Sequence, residues 1–162
     1  MAVMPVHDAI LSTPMCLLGA AYTGDMLSRL DFLPAGAAAA TQPDARTRLL
    51  ALELDAYWRN PAHHFNVPIA LHGTAFQRRV WKALTDIPAG QPITYGTVAK
   101  ALGTAARAVG QACGANPIPI LIPCHRVVAA NGLGGFMHAT SGAPLNVKIW
   151  LLHHEKTARA SP

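Results

Sequence analysis

The sequence has few charged residues and few cysteines. Lys, Arg, Asp and Glu make up 13% of its 162 residues, against about 25% in a typical soluble domain. Intrinsic disorder is not expected, because disordered chains combine low hydrophobicity with high charge, and 51% of these residues are hydrophobic. The three cysteines, Cys16, Cys113 and Cys124, are too few and too scattered for a disulfide scaffold, which favours a reducing compartment.

Long hydrophobic runs are also missing. The longest uncharged stretches, Ala9–Gly24 and Ala108–Cys124, are interrupted by polar residues and prolines, so neither can form a membrane-spanning helix of about 18 apolar residues. The first basic residue is Arg29, so no secretory signal with a basic start is recognisable. The sequence therefore predicts a cytoplasmic protein with no membrane partner.

The charge that is present is divided unevenly. Residues 1–72 contain four basic and six acidic residues, whereas residues 73–162 contain nine basic residues and only Asp86 and Glu155 as acids. A basic half of this kind is typical of a protein that binds a polyanion such as DNA. A basic face that only aids solubility has the same composition, so charge alone leaves both interpretations open.

The first part of the chain reads as strands followed by a helix. Apolar segments separated by turn residues predict an antiparallel sheet, and helical spacing of leucines predicts the helix. The predicted strands are Val3–Leu11, Met15–Tyr22 and Met26–Leu33, the helix is Asp44–Arg59, and Phe65–Leu71 is one further strand.

The second part is mainly helical. Thr74, Thr94 and Thr104 are suitable capping residues for three of its helices, and Gly103 separates two short ones into a helix–turn–helix pattern. The predicted helices are 75–85, Tyr95–Leu102, Ala105–Gly114 and Leu145–His154, and the apolar segment Ile120–Cys124 is predicted to be extended and buried.

Cys124 and His125 are the residues most suited to chemistry. A thiol attacks as the thiolate, so it needs a base or a positive environment that lowers its pKa, and His125 with the basic residues nearby could provide either. A buried cysteine is more often only a small hydrophobe. Neighbouring strand residues point to opposite faces, so the pair would need a turn or a bridging water to communicate.

Six segments carry a more specific pattern in a fixed order. They are 73–81, 93–96 (Ile-Thr-Tyr-Gly), 105–110 (Ala-Ala-Arg-Ala-Val-Gly), 116–117 (Asn-Pro), 122–127 (Ile-Pro-Cys-His-Arg-Val) and 148–155 (Lys-x-Trp-Leu-Leu-x-x-Glu). Together they resemble the O6-alkylguanine-DNA alkyltransferase family, also called methylated-DNA–protein-cysteine methyltransferases. Six ordered segments are far less prone to chance than one short motif.

The resemblance implies a function and a fold. The function would be DNA repair, by irreversible transfer of the alkyl group of O6-alkylguanine in double-stranded DNA to the protein's own cysteine, with O4-alkylthymine as a second candidate substrate. The fold class would be α+β, with an N-terminal α/β support lobe (residues 1–72) carrying an antiparallel sheet. A mainly helical C-terminal domain (residues 73–162) with a winged-helix-like helix–turn–helix would bind DNA. No cofactor or metal is expected. The resemblance further implies a bacterial-type protein that acts as a monomer and is nucleoid-associated when it acts on DNA.

Three residues of the resemblance would carry out the transfer. Cys124 would be the acceptor, His125 the base acting through water, and Glu155 the group that orients His125, following the logic of other activated nucleophiles. Taken alone, Glu155 reads as a solvated carboxylate near the end of a helix, where the helix dipole disfavours it.

Three more residues would assist. Tyr95 would give a proton to the departing guanine, Lys148 would lower the pKa of Tyr95 through its charge, and Asn116 would shape the turn that holds the active-site segment. The alternative interpretation of Tyr95 is an aromatic residue of the core, and that of Lys148 is an exposed lysine on a helix.

The second helix of the helix–turn–helix would approach the DNA minor groove, and Arg107 would take the place of the flipped nucleotide. Small residues around Arg107 would permit the close approach, although they would equally permit tight helix packing. The predicted DNA contacts are Ala105, Ala106, Arg107, Ala108, Gly110, Thr94 and Arg126, the last equally a structural residue. The predicted pocket residues are Val127, Val128 and Ser141.

Other functions are kept open. A non-catalytic alkyltransferase-like protein would bind the same lesions but lacks the acceptor cysteine. A helix–turn–helix regulator would be a dimer with longer polar side chains on its recognition helix, and a thiol-redox protein would carry a CxxC motif. The Gly134–Gly142 loop, which the resemblance would place over the flipped base, departs from the family pattern.

Overall fold

A computed structural model describes residues 6–34, 36, 43–139 and 142–160. It has an α+β fold, as predicted. The elements in chain order are β1 (Ala9–Ser12), β2 (Leu17–Thr23), β3 (Met26–Leu33), α1 (Ala45–Arg59), α2 (Ala75–Thr85), β4 (Ile93–Thr94), α3 (Tyr95–Leu102), α4 (Ala106–Gly114), a 3₁₀ turn (Cys124–Arg126), β5 (Val127–Val128) and α5 (Ala143–Ala160).

The first three strands form an antiparallel sheet in the order β1-β2-β3, which confirms the predicted sheet. The first strand begins at Ala9, and residues 3–5 of its predicted range lie outside the described residues. The fourth strand predicted at Phe65–Leu71 is wrong. Only Ile69 makes a β-bridge, parallel to Leu27, because the neighbouring Pro68 has no N–H to donate and contributes its carbonyl to Leu27 instead. This segment runs along β3 without becoming part of the sheet.

Helix α1 begins where the sequence predicts. The side chain of Asp44 caps it by accepting a hydrogen bond from the backbone N–H of Thr47. The helix buries Leu50, Leu54 and Tyr57, which belong to the same apolar core as the inward-facing residues of the sheet. Helix α1 therefore forms the second layer of the N-terminal part.

The predicted helix–turn–helix is present as α3 and α4. Thr94 caps α3 through the N–H of Thr97, and Gly103 ends the helix in the left-handed conformation (φ 67°). The prediction that Thr104 caps the next helix is wrong by one residue. Ala105 occupies the cap position and makes no side-chain cap hydrogen bond, which leaves the start of α4 without a bulky or charged cap.

The N-terminal sheet contacts the loops of the second part. The backbone N–H of Leu30 in β3 donates to the carbonyl of Pro117 at 2.9 Å, and the rings of Phe32 and Phe136 lie 5.7 Å apart. The buried residues of both parts form one apolar cluster, so the domain boundary at residue 72 stays a prediction. Within the described residues, no helix is long and apolar enough to cross a membrane.

Candidate active site

The Pro-Cys-His-Arg segment folds as a turn. Cys124, His125 and Arg126 form one turn of 3₁₀ helix, closed by a hydrogen bond from the Arg126 N–H to the Pro123 carbonyl at 3.0 Å. The sequence predicted extended backbone up to Cys124, but Ile120 adopts a left-handed conformation (φ 76°) that bends the segment. The turn removes the strand geometry that would separate Cys124 from His125.

The buried side chain of Asn116 stabilises this bend through two hydrogen bonds. Its Nδ2 donates to the Ile122 carbonyl at 2.8 Å, and its Oδ1 accepts from the Ile118 N–H at 3.0 Å. A β-branched residue at positive φ costs about 1 to 3 kcal/mol, so the conformation of Ile120 needs support of this kind. The structure thus places Asn116, as predicted from its position before a proline, at the turn that leads to Cys124.

Glu155 on α5 is buried and collects hydrogen bonds from three side chains. Its Oε1 accepts from His125 Nε2 at 2.7 Å, from Arg126 Nη2 at 2.9 Å and from the Tyr57 hydroxyl at 2.8 Å. Burial acts to raise the pKa of Glu155, but the hydrogen bonds and charges of His125 and Arg126 outweigh it and hold the pKa at about 2. Glu155 is therefore an ionised buried carboxylate, and the alternative of a solvated side chain is wrong.

Arg126 lies inside the protein. Besides Glu155, its guanidinium donates to the carbonyl of Ile87 at 2.7 Å, and the residue is buried. The prediction that Arg126 contacts DNA is therefore corrected: its donors are used to stabilise the buried carboxylate, which is the structural alternative.

The Cys124 thiol is buried, and burial decides its protonation. Burial raises the pKa of Cys124 to about 11, although hydrogen bonding by Asn116 and the charge of Lys148 act in the opposite direction. The expectation that the basic surroundings lower this pKa is wrong, because desolvation of the thiolate is the larger effect. Cys124 rests as a thiol, so its reaction needs a base.

Lys148 is fully buried, not an exposed helix lysine. Its Nζ donates to the carbonyls of Val127 and Gly135 at 2.7 and 2.8 Å, and burial lowers its pKa to about 8. The ammonium lies 5.7 Å from the centre of the Tyr95 ring. Lys148 thus links α5 to β5 and to the loop behind Tyr95.

Tyr95 keeps its proton. Burial, with smaller effects from Cys113 and Cys124, raises its pKa to about 12, so the expectation that Lys148 lowers the pKa of Tyr95 is wrong. The hydroxyl donates to the carbonyl of Gly135 at 3.3 Å. Gly134 permits this approach, because a Cβ at its position would lie 2.8 Å from the Tyr95 ring.

A cavity of about 430 Å³ joins these groups to α4. Cys124 and Tyr95 line it beside Arg107 and Gly110 of α4 and the loop from Gly135 to Ala139. Val127 and Val128 do not line it, contrary to prediction, because their strand pairs with Ile93 and Thr94. Ser141 lies outside the described residues.

The outer face of α4 consists of small residues around one long basic side chain. Ala105, Ala106 and Arg107 are exposed, and Ala108 and Gly110 are half-buried. The opposite face packs inward through Val109, Ala112 and Cys113. Helix packing therefore accounts for the inner face of α4, and close approach to DNA stays a prediction for the exposed small residues of the outer face. Thr94, at the start of α3, is half-buried and serves as a helix cap.

Two residues of the site, Tyr57 and Cys113, were not predicted as site residues from the sequence. Tyr57 reads as one more apolar position of α1, and no local signal connects it to Glu155. Cys113, on the inner face of α4, lines the cavity with Cys124. Burial, together with the charge of Cys124, raises its pKa to about 12.

The fold and site define a class of protein: an α+β helix–turn–helix protein with a cysteine buried beside a His–Glu pair. Comparison with known proteins identifies the family within that class. Residues 75–157 match the family model described as the DNA binding domain of 6-O-methylguanine DNA methyltransferase. The chain belongs to this family.

Individual relatives and solved structures support the same family assignment. A probable methylated-DNA–protein-cysteine methyltransferase of Acanthamoeba polyphaga mimivirus is 46% identical over 106 residues, covering 64% of this chain and 68% of that protein. The crystal structure of Mycobacterium tuberculosis O6-methylguanine methyltransferase is 36% identical with a TM-score of 0.81, covering 96% of each chain. The structure of Mycobacterium tuberculosis OGT in complex with DNA is 38% identical with a TM-score of 0.78, covering 94% of each chain. The sequence match to the curated Mycobacterium tuberculosis relative spans 62% of that protein's length.

Proposed function

We propose that this protein repairs double-stranded DNA by moving the alkyl group of O6-alkylguanine to the sulfur of Cys124. The bond between guanine O6 and the alkyl carbon breaks, and a carbon–sulfur bond forms. The thioether that results is not readily hydrolysed, so each molecule reacts once. The observation that carries the proposal is the Cys124 thiol at the cavity wall, adjacent in the chain to His125 and its buried Glu155 partner.

The thiol proton goes to His125. Because Glu155 is ionised, the Nε2 of His125 that faces it must carry a hydrogen, which leaves the lone pair of Nδ1 to accept a proton. Among the described residues, Nδ1 of His125 is the buried side-chain polar atom with no hydrogen-bond partner. One bridging water would connect it to the thiol, and Glu155 would stabilise the imidazolium that forms.

The leaving guanine takes its proton from Tyr95. A phenol with a pKa of about 12 is protonated at neutral pH, so it can donate to guanine as negative charge develops on the base. Asn116 and Lys148 hold the segments on either side of Cys124, Asn116 through the turn before it and Lys148 through the Val127 carbonyl after it.

The DNA is bound through α4. A helix face of small residues fits closely into a narrow minor groove, and Arg107 at the cavity mouth would replace the nucleotide that turns into the cavity. The degenerate pattern of the minor groove predicts weak sequence preference. Since the thiol, base, proton donor and DNA-facing helix all belong to one chain, the protein is proposed to act as a monomer.

Mass spectrometry tests this function. The full-length protein is mixed with a duplex that carries one O6-methylguanine, and a gain of one methyl group is expected on the peptide containing Cys124. The matched controls are an undamaged duplex and the Cys124→Ser variant, which should stay unmodified. No methyl gain, with preferential binding of the damaged duplex, would instead support a non-catalytic binder; no gain and no preference would reject both functions.

A further inference from the structure

Tyr57 reaches the active site from the N-terminal part of the chain. Its side chain is fully buried, and its hydroxyl donates to Oε1 of Glu155 at 2.8 Å, across 98 residues of sequence. The same carboxylate oxygen accepts the hydrogen bond of His125 Nε2 at 2.7 Å. Tyr57 and His125 therefore share one acceptor atom.

Neighbouring rings hold Tyr57 in place. Its ring centre lies 4.9 Å from that of Trp58, 5.5 Å from Phe65 and 5.3 Å from His154. The backbone carbonyl of Tyr57 also lies 3.3 Å from Nε2 of His154, the residue before Glu155. Packing against residues of both α1 and α5 thus holds the Tyr57 hydroxyl beside the carboxylate of Glu155.

We propose that Tyr57 is a positioning residue for alkyl transfer, because its hydroxyl limits how strongly Glu155 attracts the proton on His125. The inference rests on the proposed function, in which neutral His125 accepts the thiol proton. It also gives the N-terminal part a role beyond support, since a residue of α1 then sets the basicity of a group on the 3₁₀ turn.

The physical reason is competition for one oxygen. A donor to Glu155 Oε1 takes up part of its negative charge, so less remains to stabilise an imidazolium on His125. The other charged or titratable groups around His125 are Arg126, Lys148 and the Cys124 thiol. All three remain in a Tyr57→Phe variant, and Arg126, which also interacts with the Tyr57 hydroxyl, keeps its ion pair with Glu155. Burial and the charge of Glu155 raise the pKa of Tyr57 well above its usual range, so its hydroxyl donates throughout the working pH range.

The test is the pH profile of single-turnover methyl transfer by the full-length Tyr57→Phe variant. Phenylalanine keeps the ring contacts and removes only the donor. His125 should then stay protonated to higher pH, so the acid limb of the rate profile should move up by about one pH unit, which makes transfer about tenfold slower on the acid side. Rates for the variant and wild type should converge at alkaline pH.

Tyr22→Phe is the matched control. The Tyr22 hydroxyl lies 3.2 Å from Oγ1 of Thr47 on the same helix α1 and does not touch Glu155. If Tyr57 acted only by stabilising α1, both variants would behave alike. Superimposable profiles for Tyr57→Phe and wild type, or an equal shift in Tyr22→Phe, would overturn the inference.

An NMR titration of the His125 ring without DNA separates this inference from the proposed function. The Tyr57→Phe variant should titrate at higher pH than wild type, whether or not the protein transfers a methyl group. Equal midpoints, or no titration of His125 in either protein before unfolding, would overturn the role of Tyr57. Wild type that titrates as expected but never methylates Cys124 would reject the proposed function instead.

Discussion

Replacing Asn116 by alanine should destabilise the protein and misplace the acceptor cysteine together. Asn116 is 2% exposed and uses its amide twice, as donor to the Ile122 carbonyl and as acceptor from the Ile118 N–H. Alanine leaves the buried Ile118 N–H without its partner, and it leaves the Ile122 carbonyl with only the N–H of Cys124, at 2.8 Å. The two lost hydrogen bonds also stabilise the turn at Ile120, whose φ of 76° is unfavourable for a β-branched residue.

The size of the effect follows from these groups. Leaving the buried Ile118 N–H unsatisfied costs about 1 to 3 kcal/mol, and losing one of the two hydrogen bonds to the Ile122 carbonyl adds about 0.5 to 1.5 kcal/mol. We expect the free energy of unfolding to fall by about 2 to 4 kcal/mol. For a chain of this length, this corresponds to a fall in Tm of about 5 to 15 °C.

Urea unfolding at pH 7 measures the loss, and the rate of Cys124 alkylation by a small electrophile reports the position of the thiol. Asn131→Ala is the matched control, because Asn131 is exposed and its loss should change stability by less than about 0.5 kcal/mol. A loss below 1 kcal/mol in Asn116→Ala, with Cys124 reacting as in wild type, would refute the view that Asn116 holds this turn.

Two further substitutions separate stability from DNA binding. Glu155→Gln should lower the free energy of unfolding by about 3 to 5 kcal/mol in urea titration, since Arg126 would remain buried without its charged partner. Gly110→Ala should weaken binding to duplex DNA, measured by fluorescence anisotropy, because a methyl group would project from the half-buried side of α4 that is proposed to face DNA. Its stability should rise by up to about 1 kcal/mol, since a Cβ there meets no atom within 4 Å and alanine favours helix.

Each of these expectations has a clear contrary result. A Glu155→Gln protein as stable as wild type would mean that the buried ion pair contributes nothing to folding. Unchanged DNA affinity in Gly110→Ala would mean that this side of α4 does not approach DNA, and would direct attention to the basic residues elsewhere on the chain.

Local structure could be predicted from the sequence because its causes are local. A capping threonine and a terminating glycine bound α3, and both signals lie within a few residues of the helix. The predictions that fail are those in which a distant segment competes. Phe65–Leu71 has the composition of a strand, yet Pro68 and the edge of β3 determine what it forms.

The properties of the site likewise divide into those that local sequence predicts and those that depend on distant segments. The pattern around Cys124 indicates the reaction, because thiol chemistry requires particular residue types beside the nucleophile. It does not reveal protonation, since the pKa of Cys124 depends on how completely the folded chain removes the thiol from water. Burial also raises the pKa of Tyr95, which was expected to be lowered. Arg126, a candidate DNA contact in the sequence, is buried as the partner of Glu155.

The sequence by itself therefore determined the family and the helix–turn–helix and indicated the proposed nucleophile, because each of these depends on residues within short segments. Only the tertiary structure decided which groups share the Glu155 carboxylate. Tyr57, His125 and Glu155 come from α1, the 3₁₀ turn and α5, and their hydrogen bonds span 98 and 30 residues of chain. Contacts at that separation depend on packing of the whole core, and desolvation, which sets the charges of the site, exists only after that core has formed.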